Sequence, residues 1–133
     1  MRNFKTIFAL VALLLATNFI SAQEKVDWRE KNRFHRSIGE TFHPMEEGDF
    51  KPIRTRSAEL VKNSIAWQKS EIPANYTQIK NIKKNLKKIV KQSKALDVKV
   101  KANASDEIIK KDLIELHDTF HTIVGLCTHD DNH

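Results

Sequence analysis

Residues 105–126 of the chain read SDEIIKKDLIELHDTFHTIVGL, and this pattern is the clearest indication of the architecture. Ser105 offers a side-chain oxygen of the kind that caps helices, and Asp106 and Glu107 place negative charge near the positive end of the helix dipole. The stretch therefore predicts an amphipathic helix that ends near Leu126. Its apolar residues recur at the three- and four-residue spacing of one helical face: Ile109, Leu113, Leu116, Phe120, Ile123 and Val124.

Three further amphipathic segments precede this helix. His43-Pro44 is expected to end the first one, because a residue before proline avoids the α region. Asp49 is a good N-cap for the second, and Pro52 suits its first turn. Four amphipathic helices with short links predict an all-α fold, an antiparallel up-down-up-down four-helix bundle. The first three are predicted to run from Asp27 to Phe42, from Asp49 to about Ile72, and from about Asn75 to Asn103.

The N-terminus has the three-part plan of a cleavable signal peptide. Arg2 and Lys5 come first, an apolar run follows over residues 7–16 and resumes at 19–20, and Ser21-Ala22 supplies small residues. We expect a signal peptide over residues 1–22 and one mature domain over 23–133, in the periplasm or secreted. A retained anchor is the alternative, but the apolar run is short for a membrane span. Removal of the leader lowers the formal net charge from +6 to +4.

Two histidines on the fourth helix form the candidate site. His117 and His121 are four residues apart, so they lie one turn apart on the same side and can share one metal ion. At about 100° per residue, His117 falls about 50° from the centre of the apolar stripe and His121 lies at its rim. A buried, hydrogen-bonded His117 beside a solvated His121 is the alternative interpretation.

Two more residues are candidate ligands. His35 follows the spacing of Trp28, Ile38 and Phe42, so we expect it to point inward from the first helix, which neighbours the fourth in an up-down bundle. Cys127 is the only cysteine of the chain, so it forms no internal disulfide and is either a metal ligand, an intermolecular bridge or a small buried hydrophobe. His129 and His133 in the polar tail are interpreted as solvated.

The segment from Phe42 to Arg54, continuing to Ala66-Trp67, resembles the region between helices one and two of exported cytochrome c′-type bundles. Those proteins attach haem through C-x-x-C-H, whereas residues 125–129 here read GLCTH, so two-thioether attachment is excluded. The resemblance still implies a non-covalent haem or a haem-free relative that binds another metal. The histidine pair is also similar to that of the DinB-like metal-binding bundles, in which a histidine from another helix completes the site; His35 would take that place.

The string from His117 to His121 also fits the zinc-protease pattern with Asp118 in place of glutamate. The shorter acid and the lack of a third ligand downstream argue against a protease, and we assign no catalytic residue. We expect a transition metal ion, zinc or copper, bound through His117 and His121 with His35 and Cys127 as further ligands. Non-covalent haem, or a metal-free interaction module, are the alternatives.

The third helix carries one strongly basic face. No aromatic residue lies between Lys80 and Lys101, so nucleobases would find no stacking platform, and export also argues against nucleic acid. An anionic surface or an acidic partner remains as an expected partner, with a solvated outer face as the alternative. The lysines are Lys80, Lys83, Lys84, Lys87, Lys88, Lys91, Lys94, Lys99 and Lys101, against the single acid Asp97.

Overall fold

The computed structural model describes residues 27–127, and within them the backbone forms four helices and no strand. We label them α1 (Arg29–Glu46), α2 (Lys51–Lys69), α3 (Ile79–Lys101) and α4 (Asp106–Leu126). The predicted all-α class is confirmed for this part of the chain. The predicted signal peptide over residues 1–22 and the polar tail from residue 128 lie outside the described residues.

The first helix continues through Pro44 to Glu46, so the prediction that His43-Pro44 ends it was wrong. Pro44 lies in the last turn, and Met45 beyond it is buried with 2% exposure. Burial of such a side chain contributes about 1.5–3 kcal/mol, which is comparable to the cost of about 3 kcal/mol for proline inside a helix. The chain then turns at Gly48, whose φ of 88° lies in the left-handed region that favours glycine.

The start of α2 agrees with the sequence better than its end does. Phe50 occupies the N-cap, so the prediction that Asp49 does was wrong by one residue, and Pro52 lies in the first turn as predicted. From the preceding position, Asp49 Oδ1 accepts a hydrogen bond of 3.1 Å from the Lys51 N–H. The helix ends at Lys69, before the predicted end near Ile72, because Ser70 has an extended backbone with ψ at 154°. The Ser105 cap of α4 is confirmed, with its side chain accepting from the backbone N–H of the third helical residue.

The end of α3 is closed by a Schellman motif. Asn103 adopts φ of 60°, a conformation that asparagine tolerates better than most residues. Its N–H donates to Val100 O and the Ala104 N–H donates to Lys99 O, each at 3.0 Å. The alternating residues 98–101 are therefore the last turn of a helix, although their pattern alone resembles a strand.

The four helices form a ring. α1 packs on α2, α2 on α3 and α3 on α4, while α4 meets α1 in the smallest of the four interfaces. The core inside the ring is aliphatic on α3 and largely aromatic where α1, α2 and α4 meet. Its fully buried side chains include Phe34, Leu60, Trp67, Leu86 and Leu113. Among residues 27–127, no helix has both the length and the apolar character needed to cross a membrane.

The buried stripe of α1 is rotated from the predicted one. Phe34, Ile38 and Met45 are its most deeply buried apolar residues, with 0%, 1% and 2% exposure. His35 is exposed, because it lies about 100° around the helix from Phe34. The prediction that His35 points into the core was therefore wrong. Inclusion of Phe34 and Met45 in the stripe would have shifted its centre away from His35.

A partly buried polar cluster joins α1 to α2. Asn63 Nδ2 donates to Ser37 Oγ at 2.6 Å, and Ser37 Oγ donates to Glu59 Oε1 at 3.0 Å. Arg56 joins Glu59 to Glu40 with hydrogen bonds of 2.9 and 2.5 Å, and its guanidinium lowers the pKa of Glu59. Since each of these groups needs its partner, the cluster sets the relative register of the two helices.

Candidate metal centre

Two ring stacks join α1 to α4 beside the candidate site. Phe42 of α1 lies face to face with His117 of α4, with ring centroids 3.8 Å apart and planes 4° apart. About two turns earlier on α1 and one turn later on α4, His35 stacks on Phe120 with ring centroids 5.0 Å apart and planes 20° apart. Each helix therefore contributes one phenylalanine and one histidine to the two stacks, and the His117 ring is held against Phe42.

His117 and His121 approach each other as their spacing predicts. Their Nε2 atoms are 3.2 Å apart, and their rings meet edge to face with centroids 4.4 Å apart. At this distance the two nitrogens can form a hydrogen bond when one of them carries a proton and the other does not. A metal ion bonded at about 2.05 Å to both would subtend an N–metal–N angle of about 100°, between the octahedral and tetrahedral values.

The surroundings of His117 favour its neutral form. The side chain is half-buried, whereas His121 is exposed. Burial is the main cause that lowers the pKa of His117, and a positive charge on His121 would lower it further. Asp118 acts in the opposite direction. Because a metal binds imidazole only through an unprotonated nitrogen, a lowered pKa keeps His117 available as a ligand at mildly acidic pH.

The other two predicted ligands are placed differently. His35 reaches the neighbourhood of the pair only through Phe120, whose ring also lies edge-on to His121 at 5.5 Å. Cys127 is buried six residues beyond His121, about 9 Å along the helix axis, and burial raises the pKa of its thiol. Among residues 27–127, no three His, Cys, Asp or Glu side chains are grouped so that they could hold a metal ion. Ligation by His35 and Cys127 stays a prediction.

His43 and Glu46 were not predicted to lie near this site, because α1 was expected to end before them. In the structure, His43 Nδ1 lies 3.2 Å from Glu46 Oε1, and the charges of both residues influence the pKa of His117. The signal that was missed is their three-residue spacing, which places them on the same side of a continuing helix. They add charge to the rim of the site without joining the histidine pair.

Loss of the His117 imidazole should reduce the decrease in the free energy of unfolding that occurs on acidification. The lowered pKa means that the folded chain binds fewer protons at His117 than the unfolded chain does, for which the pKa is about 6.5. This contribution to the free energy of unfolding is thus complete above about pH 6.5 and is lost as the pH falls through the folded pKa. Urea denaturation with chelator at pH 7.5 and 5.0 checks this, with His117→Gln as the variant. An equal acid-induced loss in wild type and variant would contradict it.

Comparison of the chain with protein-family models, curated proteins and solved structures finds no match. The resemblance to cytochrome c′-type bundles accordingly stays a prediction from the sequence.

Proposed function

We propose that this protein is an exported helical bundle that binds a transition metal ion, zinc or copper, through His117 and His121. The observation that carries the proposal is the 3.2 Å separation of the two Nε2 atoms. That separation suits two ligands of one ion, and neutral imidazole is a good ligand for both metals. The remaining coordination positions are left for water, an external ligand, or the two further predicted ligands, His35 and Cys127.

The position of the pair also supports binding at the surface rather than in the core. His121 is exposed and His117 is half-buried, so an ion can reach both nitrogens without opening the bundle. The Phe42 stack restricts rotation of the His117 ring, which reduces the entropy lost when the ion binds. One ordered ligand beside one exposed ligand is an arrangement that can take up an ion reversibly.

Calorimetric titration of chelator-treated, untagged protein with zinc and with copper tests the proposal. We expect one ion to bind per chain at pH 7.5. Failure of both metals to bind at equimolar concentrations would overturn it. A purified protein that absorbs in the Soret region would instead select the alternative of non-covalent haem.

We also infer that neighbouring helices run in opposite directions. Residues 35 and 42 ascend along α1, whereas their stacking partners Phe120 and His117 descend along α4. The hydrogen bonds that support the same relation at the other interfaces are Trp28–Ser70, Ser57–Asp97 and Lys99–Asp112. Nuclear Overhauser contacts between these pairs would check the arrangement, and their absence would contradict it.

The export proposal predicts the mass of the mature chain. The small residues Ser21-Ala22, followed by the abrupt polarity of Gln23 and Glu24, place cleavage after Ala22. The intact mass of protein recovered from the periplasm or medium should correspond to a chain that begins at Gln23 or its cyclised form. A recovered chain that retains Met1 would contradict the export proposal and leave the metal proposal untouched.

A further inference from the structure

Seven lysines of α3 form one uninterrupted basic surface, which we call the lysine face. All seven are exposed, and residues 79–96 contain no acid. At about 100° per residue they occupy an arc of about 140°, opposite the buried residues Ile82, Ile89 and Leu96. The lysine face consists of Lys80, Lys83, Lys84, Lys87, Lys88, Lys91 and Lys94.

This arrangement opposes the stability of the helix that carries it. Lys80 and Lys83 lie in the first turns of α3, where the helix dipole disfavours positive charge. Lysines also face each other at spacings of three and four residues along the arc, which destabilises a helix. Among residues 27–127, no carboxylate oxygen lies within 4.0 Å of any of the seven ammonium groups. The acid on α3, Asp97, points away and accepts hydrogen bonds from Ser57 and Lys101.

The shape of the lysine face suits a flat partner. A shallow depression of about 570 Å³ lies on it, and every residue that lines this depression belongs to α3. The face is therefore the convex side of one helix, without a second wall that would enclose a linear polymer. It extends about 21 Å along the helix axis. Val98, with 64% exposure, continues the same side of the helix and adds an exposed apolar group at its end.

We propose that the lysine face binds the surface of an anionic lipid bilayer. Several lysines on one side of an amphipathic helix can approach lipid phosphates together, and their long stems let those at the edges of the arc reach the same plane. The bound phosphates would also relieve the repulsion within the helix. No aromatic residue lies on the face, so it lacks a stacking platform for nucleobases.

Sedimentation of the purified protein with vesicles tests this proposal. One set is phosphatidylcholine alone, and the other contains about one third phosphatidylglycerol. We expect preferential binding to the anionic vesicles at low salt and its loss in 0.5 M NaCl, because the charges are exposed and screened by salt. The triple variant Lys84→Gln, Lys87→Gln, Lys91→Gln should bind the anionic vesicles about 100-fold more weakly. The matched control Lys62→Gln, Lys69→Gln, Lys110→Gln removes equal charge from exposed positions on α2 and α4 and should bind within about three-fold of wild type.

Three outcomes would overturn the proposal. The first is equal binding to neutral and anionic vesicles, and the second is an equal loss for the two triple variants. The third is tighter binding to a soluble polyanion, such as heparin or polyphosphate, than to the anionic vesicles at the same salt concentration. Circular dichroism of each variant shows whether the helices are retained, so that weaker binding is not mistaken for unfolding. The test does not depend on the metal site.

Discussion

Zinc or copper should raise the melting temperature of the wild-type protein by about 10 °C or more, and His117→Ala or His121→Ala should each abolish that rise. An ion that binds only the folded chain stabilises it by about 2.7 kcal/mol when its free concentration is 100 times the Kd. For a domain of about 100 residues, each kcal/mol shifts the melting temperature by roughly 4–8 °C. Either substitution leaves a single imidazole ligand in place of the two whose Nε2 atoms are 3.2 Å apart.

The two variants should differ in their melting temperatures in the absence of metal. This difference separates the loss of a metal ligand from a loss of folding stability. His121 is exposed, so His121→Ala should melt close to wild type in chelator. His117→Ala also removes the ring that stacks on Phe42, and should lower the melting temperature even in chelator. His43→Ala is the matched control, because His43 is exposed on the same interface but lies outside the pair; it should keep the full metal-induced rise.

His35→Ala decides whether His35 is the third protein ligand. If the metal-induced rise disappears in this variant, His35 completes the site as predicted from the sequence; if the rise persists, His35 is not a required ligand. The rise in wild type should fade below about pH 6, where protons compete for imidazole nitrogen. A metal-induced rise that survives in both His117→Ala and His121→Ala would show that the ion binds elsewhere.

Trp67→Ala should cost about 3–5 kcal/mol of the free energy of unfolding, the largest loss that we expect from one substitution in the core. Trp67 has no exposed surface, and its ring contacts Trp28, Phe34 and Phe120 with centroids 5.5–6.0 Å away. Its truncation leaves a cavity where three helices meet. Urea denaturation followed by circular dichroism measures the loss, and a cost below about 1 kcal/mol would contradict the assignment of Trp67 to the centre of the core.

Two phenylalanine variants refine this test. The Trp67 indole N–H has no hydrogen-bond partner among residues 27–127, so Trp67→Phe removes volume but no hydrogen bond. Trp28→Phe also removes the 2.8 Å hydrogen bond from its indole N–H to Ser70 Oγ. We expect Trp67→Phe to cost less than half as much as Trp67→Ala. Val98→Ala, at an exposed position, should change stability by no more than about 0.5 kcal/mol.

The helices could be predicted because local chemistry determines them. Ser105 caps α4 as its side chain suggests, and the apolar spacing of α3 and α4 agrees with their buried faces. The end of α1 could not be predicted in this way. The local preference against a helix before Pro44 competes with the burial of Met45, and that burial depends on α1 being packed against the rest of the bundle.

The candidate site was predictable only where one helix determines it. His117 and His121 are neighbours because they are four residues apart on α4, and this holds whatever surrounds them. Their relation to His35 depends on how α1 is rotated about its axis. Burial of Phe34 and Met45 determines that rotation, and neither residue was part of the predicted apolar stripe. Likewise, nothing local reveals that Phe42 lies on the His117 ring, since that contact joins residues 75 positions apart.

The indole pair at the start of α1 and the end of α2 determines which part of the bundle tryptophan fluorescence reports on. Trp28 and Trp67 are the only tryptophans of the chain, and their rings meet edge to face at 5.7 Å. Tryptophan emission thus reports the packing of the rings where α1, α2 and α4 meet. Helix content measured in the far ultraviolet includes α3, the longest of the four helices. Coincidence of the two unfolding curves is therefore a stringent check that the whole bundle unfolds as one cooperative unit.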